Sequence, residues 1–297
     1  MSSARPAQEG SGRSAYAAGV PRWVRPQILG IVNITRDSFS DGGRYLKPEA
    51  ALRHARALSR AGADILDLGP ASSHPDASAV SPEEERRRLE PVLPALVAEG
   101  HVCSVDSFHT ATQDWALSAG AHWLNDVQGF ADAAFYERLA GHECRLVVMH
   151  NLAQTGKAQR QPMTADKIYD IVARFFDARL TALEKAGVSL ARVVLDPGMG
   201  FFLGAGPAPS LRMLAQWPRL KVRFGRPMLL SMSRKSFLWK TTDRTIASAG
   251  PVSLAAELWA ALQGVDYLRT HDVAQLHDSL RLWQAVEGEG GETDLAV

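Results

Sequence analysis

Cysteine is nearly absent: Cys103 and Cys144 are the two in 297 residues, too few for a disulfide framework. Each lies in an apolar stretch, which predicts reduced core thiols and a cytoplasmic protein. No run of 18 apolar residues occurs, so no transmembrane helix is expected. Neither sign of charge is in excess. Lys plus Arg is 33 and Asp plus Glu is 32, leaving +1, which gives no electrostatic case for nucleic acid or an anionic membrane surface. There is no His/Cys cluster at zinc spacing and no Gly-x-Ser-x-Gly elbow. The N-terminus lacks the continuous apolar core of a signal peptide. Residues 1–25 read as a poorly ordered arm, 26–288 as one domain and 289–297 as a frayed tail.

What is present is an alternation of periods. Eight short segments rich in Val, Ile and Leu read as strands: 27–33, 63–69, 101–106, 122–127, 145–150, 192–198, 227–233 and 266–271. A helix-spaced segment follows each: 49–61, 82–98, 110–119, 132–140, 165–186, 211–224, 252–263 and 273–286. Several of these end at glycine, as in Ala61-Gly62, Ala119-Gly120 and Ala186-Gly187. Eight βα units in about 260 residues predict an α/β fold, a (β/α)8 TIM barrel in a single domain. The rival, an open doubly wound sheet, is weakened because no Gly-x-Gly-x-x-Gly follows the first strand.

In such a barrel the chemistry lies where the strands end. Asp106, Asn125 and Asp196 end strands 3, 4 and 6. Carboxylates and an amide converging in a part-buried pocket suit a flat heterocycle with several N–H donors, such as a 2-aminopyrimidinone. Arg234, Lys235, Arg269 and His271 end strands 7 and 8, a cationic group suited to phosphate. Asn33 and nearby Asp37 offer oxygen ligands to Mg²⁺, which needs few protein ligands when a phosphate supplies the rest. Plainer readings exist. An Asp at a strand end is often a helix N-cap, Asp67 reads as structural, and Trp217, Trp239, Trp259 and Trp283 read as packing. What favours chemistry is polar groups at nearly all eight strand ends.

The stretch ILGIVNITRDSFSDGG, with SVDS at 104–107, NDVQG at 125–129, LDPGMGF at 195–201, SRKSF at 233–237 and RTHDV at 269–273, resembles the dihydropteroate synthases. The motifs keep the family's order from about Gln27 to Glu287. The resemblance implies a transferase of folate biosynthesis. It would condense (7,8-dihydropterin-6-yl)methyl diphosphate with 4-aminobenzoate, giving 7,8-dihydropteroate and diphosphate. It implies Asp106, Lys235, Arg269 and His271 as catalytic residues. Asp106, Asn125, Asp196 and Lys235 would hold the pterin. Asn33, Ser73, His74, Arg269 and His271 would hold the diphosphate, with Asn33 on Mg²⁺. Arg36, Phe39, Phe201, Phe202 and Ser236 would face the aminobenzoate. The family is usually dimeric, which implies a homodimer.

The departures from the family pattern are local. The second loop, usually Gly-Gly-Glu-Ser-Thr-Arg-Pro-Gly, reads Gly69-Pro70-Ala71-Ser72-Ser73-His74-Pro75-Asp76. Arg36 replaces the usual Pro. Gly200-Phe201-Phe202-Leu203 replaces Gly-Phe-Gly-Lys, so Phe202 adds a benzyl group at a usual glycine. This variant resembles the mobile sulfonamide-resistance branch and implies insensitivity to sulfonamides. Two other readings are a pterin-binding methyltransferase barrel and a non-catalytic pterin-binding homologue. The cationic strand ends argue against the first. The presence of Asn33, Asp106, Lys235 and Arg269 argues against the second.

Overall fold

A computed structural model describes residues 24–35, 48–153 and 156–290. The expectations for 1–23, for Arg36, Asp37 and Phe39 in the first loop, and for 291–297 lie outside the described residues.

Eight strands form one all-parallel sheet: β1 (Gln27–Asn33), β2 (Ile65–Gly69), β3 (Cys103–Asp106), β4 (Trp123–Asp126), β5 (Arg145–Met149), β6 (Val193–Asp196), β7 (Leu229–Ser231) and β8 (Tyr267–Thr270). Their order is β6-β5-β4-β3-β2-β1-β8-β7. A parallel bridge between Leu195 and Met228 joins the two ends, and the Leu195 N–H donates to the Pro227 carbonyl at 2.9 Å. The sheet is therefore closed, as the (β/α)8 reading requires.

The helices are α1 (Pro48–Arg60), α2 (Pro82–Leu89), α3 (Leu93–Ala98), α4 (Thr110–Ser118), α5 (Tyr136–Ala140), α6 (Ile168–Lys185), α7 (Pro207–Phe224), α8 (Ser236–Thr241), α9 (Gly250–Leu262) and α10 (Val273–Gly290). Two differ in kind from the sequence reading. The expected helix over 82–98 is split into α2 and α3, because Pro91 has no N–H to donate and Pro94 fits only a first turn. The six-residue α8 is too short to show a period and lies inside the SRKSF motif. Cys103 and Cys144 are buried, and burial pushes their thiols up to about 12 and about 11, which leaves them unreactive.

The barrel interior changes character along the strands. Leu29, Ile65, Trp123, Val147, Val194, Leu229 and Tyr267 form one buried apolar cluster. Arg145 covers it from below, its guanidinium 5.4 Å from the Trp123 ring centre and hydrogen-bonded to the Tyr267 hydroxyl. Side chains two residues further along a strand point the same way. That step gives Ile31, Asp67, Asn125, Met149, Asp196, Ser231 and Arg269. An apolar floor thus supports a largely polar tier, and Asp106 joins that tier through its register with Asn125.

Candidate active site

Above the polar tier, at the C-terminal mouth, lies a cavity of about 430 Å³. Eleven of the sequence-predicted residues line it: Asn33, Ser73, His74, Asp106, Phe201, Phe202, Arg234, Lys235, Ser236, Arg269 and His271. Asn125 and Asp196 do not line the cavity; they are buried in the tier beneath.

Arg269 ties that tier together. Its Nε donates to Asp67 Oδ2 at 2.6 Å and its Nη2 to Asp106 Oδ2 at 2.7 Å. Asn125 Nδ2 approaches the same Asp67 oxygen at 3.4 Å. Asp67, read from sequence as structural, is therefore the anchor of the arginine assigned to the diphosphate. Its signal was available: an acid two residues after Ile65 in an otherwise apolar strand points into the barrel. Three buried polar atoms here have no protein partner: Asp67 Oδ1, Asn125 Oδ1 and Ser104 Oγ. Unpaired buried acceptors are costly, and a ligand with N–H donors would satisfy them.

Asp196 is held by the turn that follows it. Its Oδ1 accepts from the Gly198 N–H at 2.8 Å. Gly198 has φ +73°, and a Cβ there would come 2.5 Å from the His150 carbonyl oxygen, so the DPG turn requires glycine. Lys235 donates to the Met199 carbonyl at 3.3 Å and lies 4.7 Å from the Phe202 ring centre. The cation-bearing side is completed by His271, whose ring Nδ1 lies 3.2 Å from Ser233 Oγ.

Burial dominates the electrostatics. It lifts Asp106 to about 7, opposed by Arg269 and reinforced by the charge of Asp67. It lifts Asp196 to about 6, opposed by the Gly198 N–H and by Lys235. Lys235 is lowered to about 8, and Asp196 opposes that shift. His271 is lowered to about 3 by burial and then by Arg269, Arg234 and Lys235. Burial thus works against the charge on Asp106, and the Arg269 guanidinium at 2.7 Å works for it.

The loops form the other wall. Phe202, the ring at the family's usual glycine, is buried against Val127, Met149 and Ala158 while one face meets Lys235, so it both packs and lines. His74 meets Phe201 edge-on at 5.9 Å, and its Nδ1 accepts from the Asp76 N–H. The Ser73 carbonyl accepts from the Ala158 N–H at 3.0 Å. Trp239, read as packing, lines the cavity beside Ser236. As for a metal, no group of three or more His, Cys, Asp or Glu side chains gathers among the described residues. Asn33 offers one amide oxygen, 3.7 Å from where a Gly69 Cβ would stand. That donor set suits Mg²⁺ carried by a substrate diphosphate rather than an all-protein cage.

This barrel, with an acidic tier under a cationic, aromatic mouth, falls in the class of pterin binding enzymes: that family's model matches residues 29–271. The chain is 54% identical over 260 residues to the dihydropteroate synthase type-2 of Escherichia coli, covering 88% of this chain and 96% of that one. It is 46% identical over 257 residues to the type-1 synthase of Mycolicibacterium fortuitum, covering 86% and 91%. The Xanthomonas albilineans dihydropteroate synthase, solved with 4-aminobenzoic acid, superposes with TM-score 0.80 at 39% identity, covering 89% and 93%. Its 7,8-dihydropteroate complex gives 0.77 at 39% identity, covering 89% and 94%. The chain belongs to the dihydropteroate synthase family.

Proposed function

We infer that this protein is a dihydropteroate synthase. It joins the methylene carbon of (7,8-dihydropterin-6-yl)methyl diphosphate to the amino nitrogen of 4-aminobenzoate, releasing diphosphate. The observation that carries this reading is the set of unpartnered buried acceptors beneath a cationic mouth. One tier takes the N–H edge of a pterin and the other takes its leaving group.

The residue roles follow from placement. Asp106, Asn125 and Asp196 accept from the pterin ring N–H groups, with Asp67 beside them, and Lys235 donates to a ring acceptor. Arg269, His271 and Ser236 lie on the diphosphate and aryl side. As the C–O bond breaks, positive charge develops on the methylene and spreads into the ring, where Asp106 and Asp196 stabilise it electrostatically. Arg269 and His271 meet the negative charge gathering on the departing oxygen. The aniline lone pair then forms the C–N bond, and the nitrogen's surplus proton passes to solvent. Mg²⁺, held by Asn33 and the diphosphate oxygens, would supply further neutralisation of the leaving group. Phe202 adds its ring to the cavity wall at a usual glycine; crowding at the end that holds the carboxylate spares that flat group and opposes a bulky tetrahedral sulfonyl, which supports insensitivity to sulfonamides.

A homodimer and a cytoplasmic location complete the reading. Trp259 and Leu262 on α9, and Leu282, Trp283 and Val286 on the adjacent α10, are exposed large apolar side chains, a surface that a second copy would cover. Among the described residues no helix is long and apolar enough to cross a membrane. The test is direct: purified protein with both substrates and Mg²⁺ should release pyrophosphate, with 7,8-dihydropteroate formed in equal amount. Absence of both products from folded protein refutes the assignment.

A further inference from the structure

The stretch 156–161, which follows β5, is fastened to the loops after both β2 and β6. Toward the β2 loop, the Ala158 N–H donates to the Ser73 carbonyl at 3.0 Å, and the Lys157 ammonium donates to the Ala77 carbonyl. Arg160 grips Asp76 with both prongs, Nη1 to Oδ1 at 2.7 Å and Nη2 to Oδ2 at 2.5 Å. Toward the β6 loop, the Gln161 carbonyl accepts from the Ala205 N–H at 2.8 Å. The Arg160 guanidinium also lies 5.3 Å from the Phe201 ring centre, and His74 meets that same ring edge-on. Phe201 is therefore framed by Arg160 and His74, and Arg160 and His74 are both bonded to Asp76.

Arg160 does not line the cavity, whereas Ser73, His74, Ala158 and Phe201 do. Asp76 and Arg160 are 62% and 49% exposed along their side chains. An ion pair that open to water adds little to global stability. What a forked arginine–carboxylate pair supplies is geometry, since two parallel hydrogen bonds fix both distance and plane.

We propose that Arg160 is a positioning residue for the aromatic second substrate: through Asp76 and Phe201 it fixes the β2-loop wall against the β6-loop wall of the cavity. The inference rests on the reading of this cavity as the aminobenzoate site. The pterin side, built from strands, does not depend on Arg160. Affinity for the arylamine, and for sulfonamides competing with it, does.

The test uses the full-length enzyme, with Arg160→Ala, Arg160→Lys, Asp76→Ala and the double Arg160→Ala/Asp76→Ala. Arg160→Ala is expected to raise the 4-aminobenzoate KM by about tenfold while the KM for the pterin diphosphate stays within about twofold. Its melting temperature should stay within about 2 °C of wild type. Asp76→Ala should give a smaller rise, because Arg160 still covers Phe201. The double variant should be no worse than Arg160→Ala, since both changes break one connection. Arg160→Lys, a cation without the fork, should fall between wild type and Arg160→Ala. An unchanged aminobenzoate KM in Arg160→Ala overturns the proposal. Equal rises in both KM values with a falling melting temperature do so too, as do effects that add in the double variant. Wild-type protein in the same assay separates the two inferences: if it makes no product, the functional reading has failed rather than this one.

Discussion

Replacing Asp196 by Asn should make the empty protein more stable and the enzyme worse. The carboxyl is 3% exposed, and burial lifts it from its ordinary 3.8 to about 6. In the unfolded chain it ionises from 3.8 upward; in the folded chain it resists ionisation until about 6. At pH 7 it is charged in both, and the folded state carries a cost on the order of 3 kcal/mol. That cost shrinks as pH falls, to roughly 0.5 kcal/mol near pH 4, because the folded form is then protonated. Asparagine keeps the shape, and its carbonyl oxygen can still accept from Gly198. At roughly 2–4 °C per kcal/mol, Asp196→Asn should raise the melting temperature by at most about 6–12 °C at pH 7 and by no more than about 2 °C at pH 4. His150 and His271, lowered to about 4 and about 3, destabilise the folded chain as pH drops below 6.5, but equally in both proteins. Catalysis should move the other way. The new amide N–H faces a ligand N–H, leaving donors unpaired at ~1–3 kcal/mol, so kcat/KM for the pterin diphosphate should fall at least about tenfold. The assays are thermal melts from pH 4 to 8 without substrate and pyrophosphate-release kinetics. A melting temperature at pH 7 equal to or below wild type refutes the burial argument. Wild-type kcat/KM refutes the pterin assignment.

Asp106→Asn should lose at least about tenfold in kcat/KM on the same ground. It should gain less stability than Asp196→Asn, because Arg269 Nη2 loses its charged partner; an equal gain in melting temperature would contradict the Arg269 geometry. Phe202→Gly removes a ring packed on Val127, Met149 and Ala158, at ~3–5 kcal/mol on the scale of large core truncations, so the melting temperature should drop. If Phe202 also excludes the sulfonyl, the ratio of the sulfamethoxazole inhibition constant to the aminobenzoate KM should fall by roughly 5- to 150-fold; an unchanged ratio makes Phe202 packing alone. His74→Arg should keep activity, since His74 reaches the cavity from an exposed loop; a folded, inactive His74→Arg would show that the loop is built around the imidazole.

The barrel was legible because its strands are apolar and short and its helices amphipathic, and each of the eight strands lies within its expected segment, most of them shorter than expected. Two of the differences in helix boundary come from proline: Pro91 and Pro94 break one expected helix, and Pro207 starts α7 earlier than the apolar spacing suggested; the expected helices over 132–140 and 165–186 instead open as single 3-10 turns. For the site, reading the polar residue at each strand end found Asn33, Asp106, Lys235, Arg269 and His271 in one cavity. It undervalued Asp67, reading a lone acid in an apolar strand as structural although that placement marks a side chain turned into the barrel. It could not anticipate the Asp76–Arg160 connection, which joins residues 84 positions apart through loops without a period. Nor could it show that Phe202 has one face in the core and one in the cavity, since composition does not say which way a ring turns.

The apolar floor has a consequence for traffic. Leu29, Trp123, Val147, Val194 and Tyr267 shut the barrel from beneath, and Arg145 covers them, so among the described residues the well opens at the C-terminal mouth and not through the base. Anything bound against Asn125 and Asp196 lies deeper than anything held by Phe201 and Ser236. If the pterin takes the deeper seat, it must arrive first, and an arylamine already seated would block its way. The joined product then has to leave whole through the same doorway, after the diphosphate that stood beside it. A sealed base thereby imposes a queue: ordered kinetics would be a property of the container, set by floor side chains that touch neither substrate.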